Sequence, residues 1–546
     1  MTVPYIPNIN KAASTSTFVR PSDWLTMPTF SPGEQKIALL CLISDSDSNY
    51  CTFTCEGSYQ VDWGDGTSNT YATGVQANHQ YTFSDAALNG TLTSEGYKQA
   101  IIIITPQSGQ NLTKVWLYEK HSALPIISNV SNIYGEMVIS LPLLTTASNF
   151  GFNYPNSGSY RISALCKQIT IKELGCSIGN ASSSFCRNMY NLQSFISNVP
   201  LNITTSTDFF NNCFSLISIS GIFTLNGSNA SRMFQNCYSL QTIPLLVTSS
   251  VTNMTEMFLC CYSLNKIPLL NTANVTNMTS MFQQCHSLTK IPLLNTANVT
   301  NMTNMFMNCR SLITIPLLNT ANVTNMATMF AGCMSLKSIP LLNTANVTTM
   351  AGMFYYCQSL QTIPLLNTIK NTSTNGMFQN CFSLQKIPLL DCNKVTDMTN
   401  MFYYCQSLQT IPLLNTILVT SMNGMFRECT SLTSIPLFNA PVVTDIGNMV
   451  INCKSLQSLP NINANSVNTT LSNFASGCTS LKSIKMINIK YSVNISNCML
   501  SAAALDEIYT NLGTATGSQT INVTGNYGTT GDTPSIATSK GWTVTG

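Results

Sequence analysis

Apolar positions recur along this chain with a fixed beat. Val275, Met278, Met281, Phe282 and Cys285 stand at i, i+3, i+6, i+7 and i+10, which is the spacing of one face of a short helix. Thr276 occupies the place of a helix N-cap. Leu288, Ile291 and Leu293, bounded by Asn295, then predict a short strand. The same text returns every 24 residues. Cys213, Cys237, Cys261, Cys285, Cys309, Cys333, Cys357, Cys381, Cys405, Cys429 and Cys453 hold one register without slippage, and Cys478 follows one residue late. In an earlier, degenerate unit Phe185 and Leu192 keep their places while Met189 takes that of the cysteine.

A unit of one short strand and one short helix cannot cover its own apolar face, so the units must stack around a shared interior. The expected fold is therefore a repeat solenoid of the leucine-rich-repeat type, one strand and one helix per 24 residues. Proline inside the strand text (Pro268, Pro292, Pro316, Pro340) deletes a ladder donor in each unit. A bend or bulge after the isoleucine is expected there. Stacking also explains a composition in which only 8% of residues are charged, against roughly 25% in ordinary soluble proteins. Equivalent side chains of adjacent coils lie about 5 Å apart, where two like charges repel by about 1 kcal/mol even in water. Asn and Thr at such positions can hydrogen-bond along the stack instead.

Outside the repeats, alternation predicts strands at 36–42, 50–55 and 99–105. Near the end, Ser501 is placed to cap a helix with Leu505, Ile508, Tyr509 and Leu512 on one face, and 521–523 and 542–544 read as closing strands.

The motif Met-Phe-x-x-Cys-x-Ser-Leu at 305–312, followed by Asn-Val-Thr-x-Met at 322–326, resembles the BspA-like leucine-rich-repeat surface proteins. The resemblance spans roughly residues 185 to 490. It departs from the family in carrying Ile-Pro-Leu-Leu where many members have Leu-Asp-Leu-Ser. Members are mostly cell-surface or virion proteins implicated in adhesion, so the resemblance implies a binding or structural role. Tyr59-Gln60-Val61-Asp62-Trp63-Gly64-Asp65-Gly66-Thr67, with His79-Gln80-Tyr81 downstream, resembles PKD-like β-sandwich domains. Together with Arg20-Pro21-Ser22-Asp23-Trp24-Leu25, this segment is similar to the N-terminal region of tailed-bacteriophage virion proteins, tail-fibre-like ones included.

These resemblances imply an organisation in five parts. They are an N-terminal attachment segment (1–34), a PKD/Ig-like antiparallel β-sandwich (35–112), irregular or degenerate repeats (113–184), the solenoid (185–498) and a small α+β C-terminal cap (499–546). They also imply a multi-copy protein of the virion surface, tail-fibre-like or capsid-decorating. Other virion proteins would hold its N-terminal part, and its solenoid would face a host surface glycan or protein. A bacterial cell-surface adhesin is the alternative, and a polysaccharide-degrading enzyme a further one.

Candidate chemistry is sparse. The cysteine ladder lacks the CxxC spacing of zinc sites, and coil-to-coil β-carbons lie too far apart for disulfides. Buried free thiols are expected, whereas Cys41, Cys51 and Cys55 leave a disulfide open. His79, His121 and His286 are too scattered to build a triad, and Asp391, Asp397, Glu428 and Asp445 do not pair as a glycosidase requires. No enzyme, metal or cofactor is expected. Asp62 and Asp65 could ligate calcium, with turn stabilisation the favoured role. A net charge of +3 gives no basic stripe for nucleic acid, no apolar run reaches membrane-spanning length, and residues 1–20 lack the apolar core of a secretion signal. Variable slots on the repeats remain as a candidate binding surface. They are Tyr238, Tyr262, His286, Arg310 and Phe382 directly after the ladder cysteine, and the pairs Tyr355-Tyr356 and Tyr403-Tyr404 before it.

Overall fold

A computed structural model describes residues 18–46, 49–117, 133–144, 150–151, 165–178, 185–463, 466–469, 471 and 473–546. His121 and residues 1–17 of the expected attachment segment lie outside them. The chain forms two compact units, residues 1–251 with 257–271, and residues 252–256 with 272–546.

The first unit begins with strands β1 (Lys36–Ile43), β2 (Tyr50–Glu56), β3 (Tyr59–Asp62), β4 (Ser68–Tyr71), β5 (Gln76–Gln80), β6 (Lys98–Pro106) and β7 (Lys114–Trp116). It continues with β8 (Tyr134–Leu141), β9 (Phe150–Gly151), β10 (Gln168–Leu174), β11 (Ser194–Ser197), β12 (Leu201–Ile203), β13 (Ser218–Ser220), β14 (Phe223–Leu225) and β15 (Leu246–Val247). One sheet runs β13-β11-β10-β8-β1-β6-β3-β4. Its β1, β6, β3 and β4 pair antiparallel, whereas β8, β10, β11 and β13 pair parallel. The two halves meet where β8 joins β1 antiparallel. An open ladder end exposes unpaired N–H and C=O groups, and here the β1–β8 pairing satisfies them.

A second sheet, β5-β2-β7-β9, contributes Phe53, whose ring lies 5.6 Å from that of Trp63 and 6.4 Å from that of Tyr59. The segment preceding β1 is fastened to the first sheet. Arg20 Nε meets Glu136 at 2.6 Å, its guanidinium donates to the carbonyls of Trp24 and Leu25, and Trp24 packs on Leu40 and Leu42.

The coils themselves differ from the sequence expectation. No helix forms in the repeats among the described residues. In the coil containing Cys285, Ser280 and Gln284 take left-handed backbone angles, φ 55° and 62°, which a right-handed helix does not accommodate. The N–H groups instead alternate between two kinds of partner. Those of Met281, Gln283 and Cys285 close tight turns on the carbonyls of Met278, Ser280 and Phe282, at 3.2, 3.1 and 3.1 Å. Those of Met278, Ser280, Phe282 and Gln284 cross to Asn301, Thr303, Met305 and Met307 of the next coil, at 3.2, 2.9, 3.0 and 2.7 Å. This run of turns still buries Val275, Met278, Met281, Phe282 and Cys285 completely. With no helix to cap, Thr276 donates its hydroxyl to the Thr252 carbonyl at 3.3 Å.

The strand expectation is corrected in part. Leu288 and Ile291 are buried, but Leu293 is 62% exposed and Leu294 takes the inward place at 2%. Coils without the proline, at β11, β13 and β17 (Ser483–Ile487), hold regular strands. In the Ile-Pro-Leu-Leu coils that carry it from Ile267 to Ile411, none is present. The missing N–H of proline weakens the ladder there, and where a strand does span a proline, at Pro460 within Ser458–Asn463, its register shifts between Leu459 and Ile462. The architecture is a β-solenoid with little helix.

Stacking joins the coils through identical side chains. In the second unit Phe282, Phe306, Phe330, Phe354, Phe378, Phe402 and Phe426 form one ring ladder, with neighbouring centroids 5.6 to 5.7 Å apart. Thr300, Thr324 and Thr348 each donate a hydroxyl to the threonine carbonyl one coil back, at 3.3, 3.2 and 3.1 Å. Each ladder thiol from Cys309 to Cys453, at 24-residue steps, donates to the phenylalanine carbonyl of the preceding coil, as in Cys333 Sγ to Phe306 O at 3.1 Å. Cys237 and Cys261 make the equivalent contact in the first unit, to Phe210 O and Phe234 O, and Cys213 donates to the Cys186 carbonyl.

The second unit ends with β16 (Ser458–Asn463) beside β17, then α1 (Ala502–Asn511), α2 (Ser535–Thr538) and the parallel strands β18 (Val493–Asn494), β19 (Thr520–Asn522) and β20 (Thr543–Thr545). The Ser501 hydroxyl caps α1 by accepting from Ala504 N at 3.2 Å, and Leu505, Ile508 and Tyr509 are buried beneath it. The Lys540 ammonium closes the other end on the carbonyls of Tyr509, Thr510 and Leu512.

Candidate functional site

The richest side-chain cluster on the repeats lies in the second unit and gathers five of the expected slot residues. Tyr356, Asn380 and Tyr404 hold equivalent places on successive coils, tied by Tyr356 N to Gln379 O at 2.8 Å, Asn380 N to Tyr403 O at 2.7 Å and Tyr404 N to Arg427 O at 2.9 Å. The small, buried Asn380 separates the two tyrosines. Around them Tyr355 meets Tyr356 at 4.9 Å and 59°, Tyr403 meets Tyr404 at 4.7 Å and 61°, and Phe382 meets Tyr404 at 6.4 Å and 77°. Because these rings are tilted against one another, they do not cover each other's faces as stacked rings do. Arg427, which sequence reasoning missed, lies with its guanidinium 5.3 Å from the Tyr403 ring, a cation–π distance. All six side chains are half-buried.

The backbone beneath this cluster is costly. Tyr356 and Tyr404 have φ 61° and 60°, the left-handed region that bulky residues avoid. Equivalent places elsewhere are held by Asn212, Asn236, Asn308, Gly332, Asn380 and Asn452, types that accept this conformation, and by Cys260, Gln284 and Glu428 at φ 62°, 62° and 64°. The left-handed place belongs to every one of these coils, and the two tyrosines are the bulkiest side chains that occupy it. Burial raises the phenols of Tyr355 and Tyr403, in the latter despite the opposing charge of Arg427. Both therefore remain neutral hydroxyl donors at physiological pH.

The other slot residues fall elsewhere. Tyr238 and Tyr262 belong to the first unit and continue a stack with Tyr190 and Phe214, at centroid distances of 4.8, 4.9 and 4.8 Å and angles of 19°, 4° and 8°. Their faces cover one another, so this stack presents ring edges. Phe214 and Tyr190 were legible as the same slot one and two units before Tyr238. His286 and Arg310 are consecutive in the second unit. Burial first, then the Arg310 charge, lowers the His286 imidazole to about 4.

The acids considered for catalysis have local duties. Asp391 accepts from Asn393 N at 3.0 Å and Asp397 from Thr399 N at 2.9 Å. Asp445 accepts from Gly447 N at 2.9 Å and Glu428 from Asn452 Nδ2 at 2.7 Å. Asp62 accepts from Gly64 N at 2.9 Å. Asp65 takes the N–H and hydroxyl of Thr67 at 2.9 and 2.6 Å and contacts His79 Nε2 at 2.7 Å. The His79 ring stacks on Trp63 at 4.5 Å, so this constellation fixes a turn. Among the described residues no group of three or more His, Cys, Asp or Glu is placed to hold a metal. Among the described residues no cysteine forms a disulfide, and Cys41 and Cys51 approach to 3.7 Å between sulfurs.

Comparisons with known proteins follow the repeats. A leucine-rich repeat protein from Bacteroides ovatus is 18% identical, with 68% of this chain and 98% of that chain covered at a TM-score of 0.31. One from Eubacterium ventriosum is 17% identical, with 64% and 86% covered at a TM-score of 0.29. No curated protein matches. The family described as Mycoplasma protein of unknown function, DUF285, matches residues 228–315, 289–388, 312–410 and 372–489, so the similarity to that family lies wholly within the repeats and spans just under half of the chain.

Proposed function

We propose that this chain is a non-enzymatic, surface-displayed adhesion protein. Its repeat surface binds a neutral, hydroxyl-rich ligand such as a bacterial surface glycan through Tyr355, Tyr356, Phe382, Tyr403, Tyr404 and Arg427. The observation that carries the reading is the cluster of tilted, half-buried rings around Tyr356 and Tyr404, two tyrosines in a left-handed place that most other coils give to Asn or Gly and three give to Cys260, Gln284 and Glu428. Tilted aromatic rings bordered by Gln358, Gln379, Asn380 and Gln406 offer apolar faces and amide hydrogen bonds with little charge. Tyrosine and arginine are also the residues that most often dominate binding energy at protein surfaces. The solenoid supplies the rigid frame that such a surface needs.

Display would be on a virion, with the N-terminal sheets as a PKD-like sandwich held by other particle proteins and the segment around α1 as the terminal cap. The text around Trp63 and the fastened Arg20–Leu25 segment support that location. A bacterial cell-surface adhesin is the second reading, supported by the similarity of residues 228–489 to a Mycoplasma family. Mass spectrometry separates the two. Peptides of this chain in purified particles support the virion, and peptides released by protease shaving of intact cells support the cell surface.

The binding reading is tested with immobilised bacterial polysaccharides, both lipopolysaccharide O-chains and capsular polymers. Retention of the full chain by at least one of them, without release of reducing ends, is the expected result. Retention with steady release of reducing ends would make the protein an enzyme, and no retention by any polymer would remove the glycan reading.

A further inference from the structure

The second unit carries a row of leucines that the core does not use. Leu293, Leu317, Leu341, Leu365, Leu389, Leu413 and Leu437 are 60 to 62% exposed, one on each successive coil. Each follows a half-buried proline and precedes a leucine or phenylalanine that faces inward. With coils about 4.8 Å apart, these side chains form an unbroken apolar ridge. At on the order of 100 Å² of exposed surface per leucine, the ridge reaches about 700 Å², beyond the largest apolar patch of a typical monomer. On one flank stand Lys290, Thr314, Ser338, Thr362, Lys386, Thr410 and Ser434, and on the other Asn295, Asn319, Asn343 and Asn367, all exposed. An apolar centre with a polar rim is the anatomy of a protein interface.

We infer that this leucine ridge is the contact through which a second copy of this chain docks, two ridges lying antiparallel about a two-fold axis. The area is the first argument. About 700 Å² per copy is close to the roughly 800 Å² per partner of a stable, standard-size interface. Period is the second. A second copy carries the same leucine spacing by construction, so each leucine can enter the gap between two leucines of the other ridge, and the contact closes on itself as an isologous dimer must. Charge is the third. The rim holds few ionised groups, mainly Lys290, Lys386 and Asp391, so like-charge repulsion between copies is small.

The test is the mass in solution of the full chain by light scattering, at about 10 µM and below. It is compared with the variant Leu293→Glu/Leu341→Glu/Leu389→Glu, which charges every second coil, and with the milder Leu293→Asn/Leu341→Asn/Leu389→Asn. Circular dichroism and melting check that both variants keep the fold, as substitution of exposed side chains permits. The natural chain is expected at twice its chain mass, and both variants at the single mass, with dimer affinity weakened about 100-fold or more. A natural chain at the single mass throughout would overturn the inference. So would folded variants that remain dimeric.

Discussion

The edge of the Phe382 ring meets Tyr404 at 6.4 Å between centroids, with the planes 77° apart. Phe382 follows the ladder cysteine of one coil, and Tyr404 precedes that of the next. The contact therefore joins two variable slots of neighbouring coils and links Phe382 to the Tyr403–Tyr404–Arg427 side of the cluster. Phe382→Ala is expected to weaken retention on the recognised polysaccharide about 10-fold or more, with under about 1 kcal/mol of stability lost from a half-buried site. Retention assays and chemical denaturation check the two numbers separately.

Arg427 is expected to matter more for binding than for folding. Its guanidinium lies over Tyr403, and its Nε is buried without a hydrogen-bond partner. Arg427→Lys keeps the charge but loses the planar fork. We expect that substitution to weaken retention nearly as much as Arg427→Ala. Full binding by the lysine variant would show that charge alone suffices.

The thiol ladder gives a stability prediction. Cys333 is wholly buried and donates to Phe306 O at 3.1 Å. Cys333→Ala removes both the sulfur's packing and this donor, at an expected cost of about 1 to 2 kcal/mol in denaturant unfolding. Cys333→Ser keeps a donor and should cost less. Equal losses would show that the hydrogen bond is idle.

Burial also raises these thiols, Cys309 to about 12 and Cys237, Cys333, Cys381 and Cys405 well above the usual value. A group raised on folding contributes stability that is complete below its unfolded value, about 8.5 for cysteine, and is lost as pH rises above it. Repeated over the ladder, this predicts a melting temperature that is level near neutrality and falls steeply above about pH 9. Maleimide labelling of the native chain at neutral pH should reach Cys176 and Cys260, which are half-buried, and spare the buried rest. Rapid labelling of Cys333 would contradict the packing.

Asp65 behaves in the opposite sense. Burial, the largest influence, pushes its carboxyl up, but the Thr67 hydrogen bonds and the His79 charge outweigh it and hold the group below the usual range. Its contribution is complete above the ordinary aspartate value of about 3.9 and is lost as pH falls through the lower folded value. Asp65→Asn should destabilise the sheets around Trp63 by about 1 to 2 kcal/mol at neutral pH and flatten their acid limb, as followed by tryptophan fluorescence.

Much of this architecture could be read from residue spacing. The 24-residue register located the buried face, and the strands observed at β1, β2 and β6 match the alternations at 36–42, 50–55 and 99–105 to within about a residue or two. The helix did not follow, because i, i+3, i+7 spacing is shared by a helix and by a run of tight turns with the same inward beat. A signal did exist: Asn or Gly directly before the cysteine, at Asn212, Asn236, Asn308, Gly332, Asn380 and Asn452, marks a left-handed residue where a helix would need a right-handed one. Leu293 was misplaced because two adjacent leucines follow the proline, and only the bend decides which turns inward. The slots at Tyr355, Tyr356, Phe382, Tyr403 and Tyr404 were visible as variable positions. Their convergence with Arg427 depended on coil-to-coil geometry that one-dimensional text does not carry.

On the proposed binding role, Tyr356 and Tyr404 are kept in their left-handed places at a cost to the fold. The most direct measurement is the double variant Tyr356→Asn/Tyr404→Asn, followed by melting and by retention on the recognised polysaccharide. Asparagine relieves the left-handed strain, so the variant is expected to unfold about 0.5 to 2 kcal/mol later than the natural chain while losing most of its binding. A variant that is less stable and binds as well as the natural chain would contradict the account.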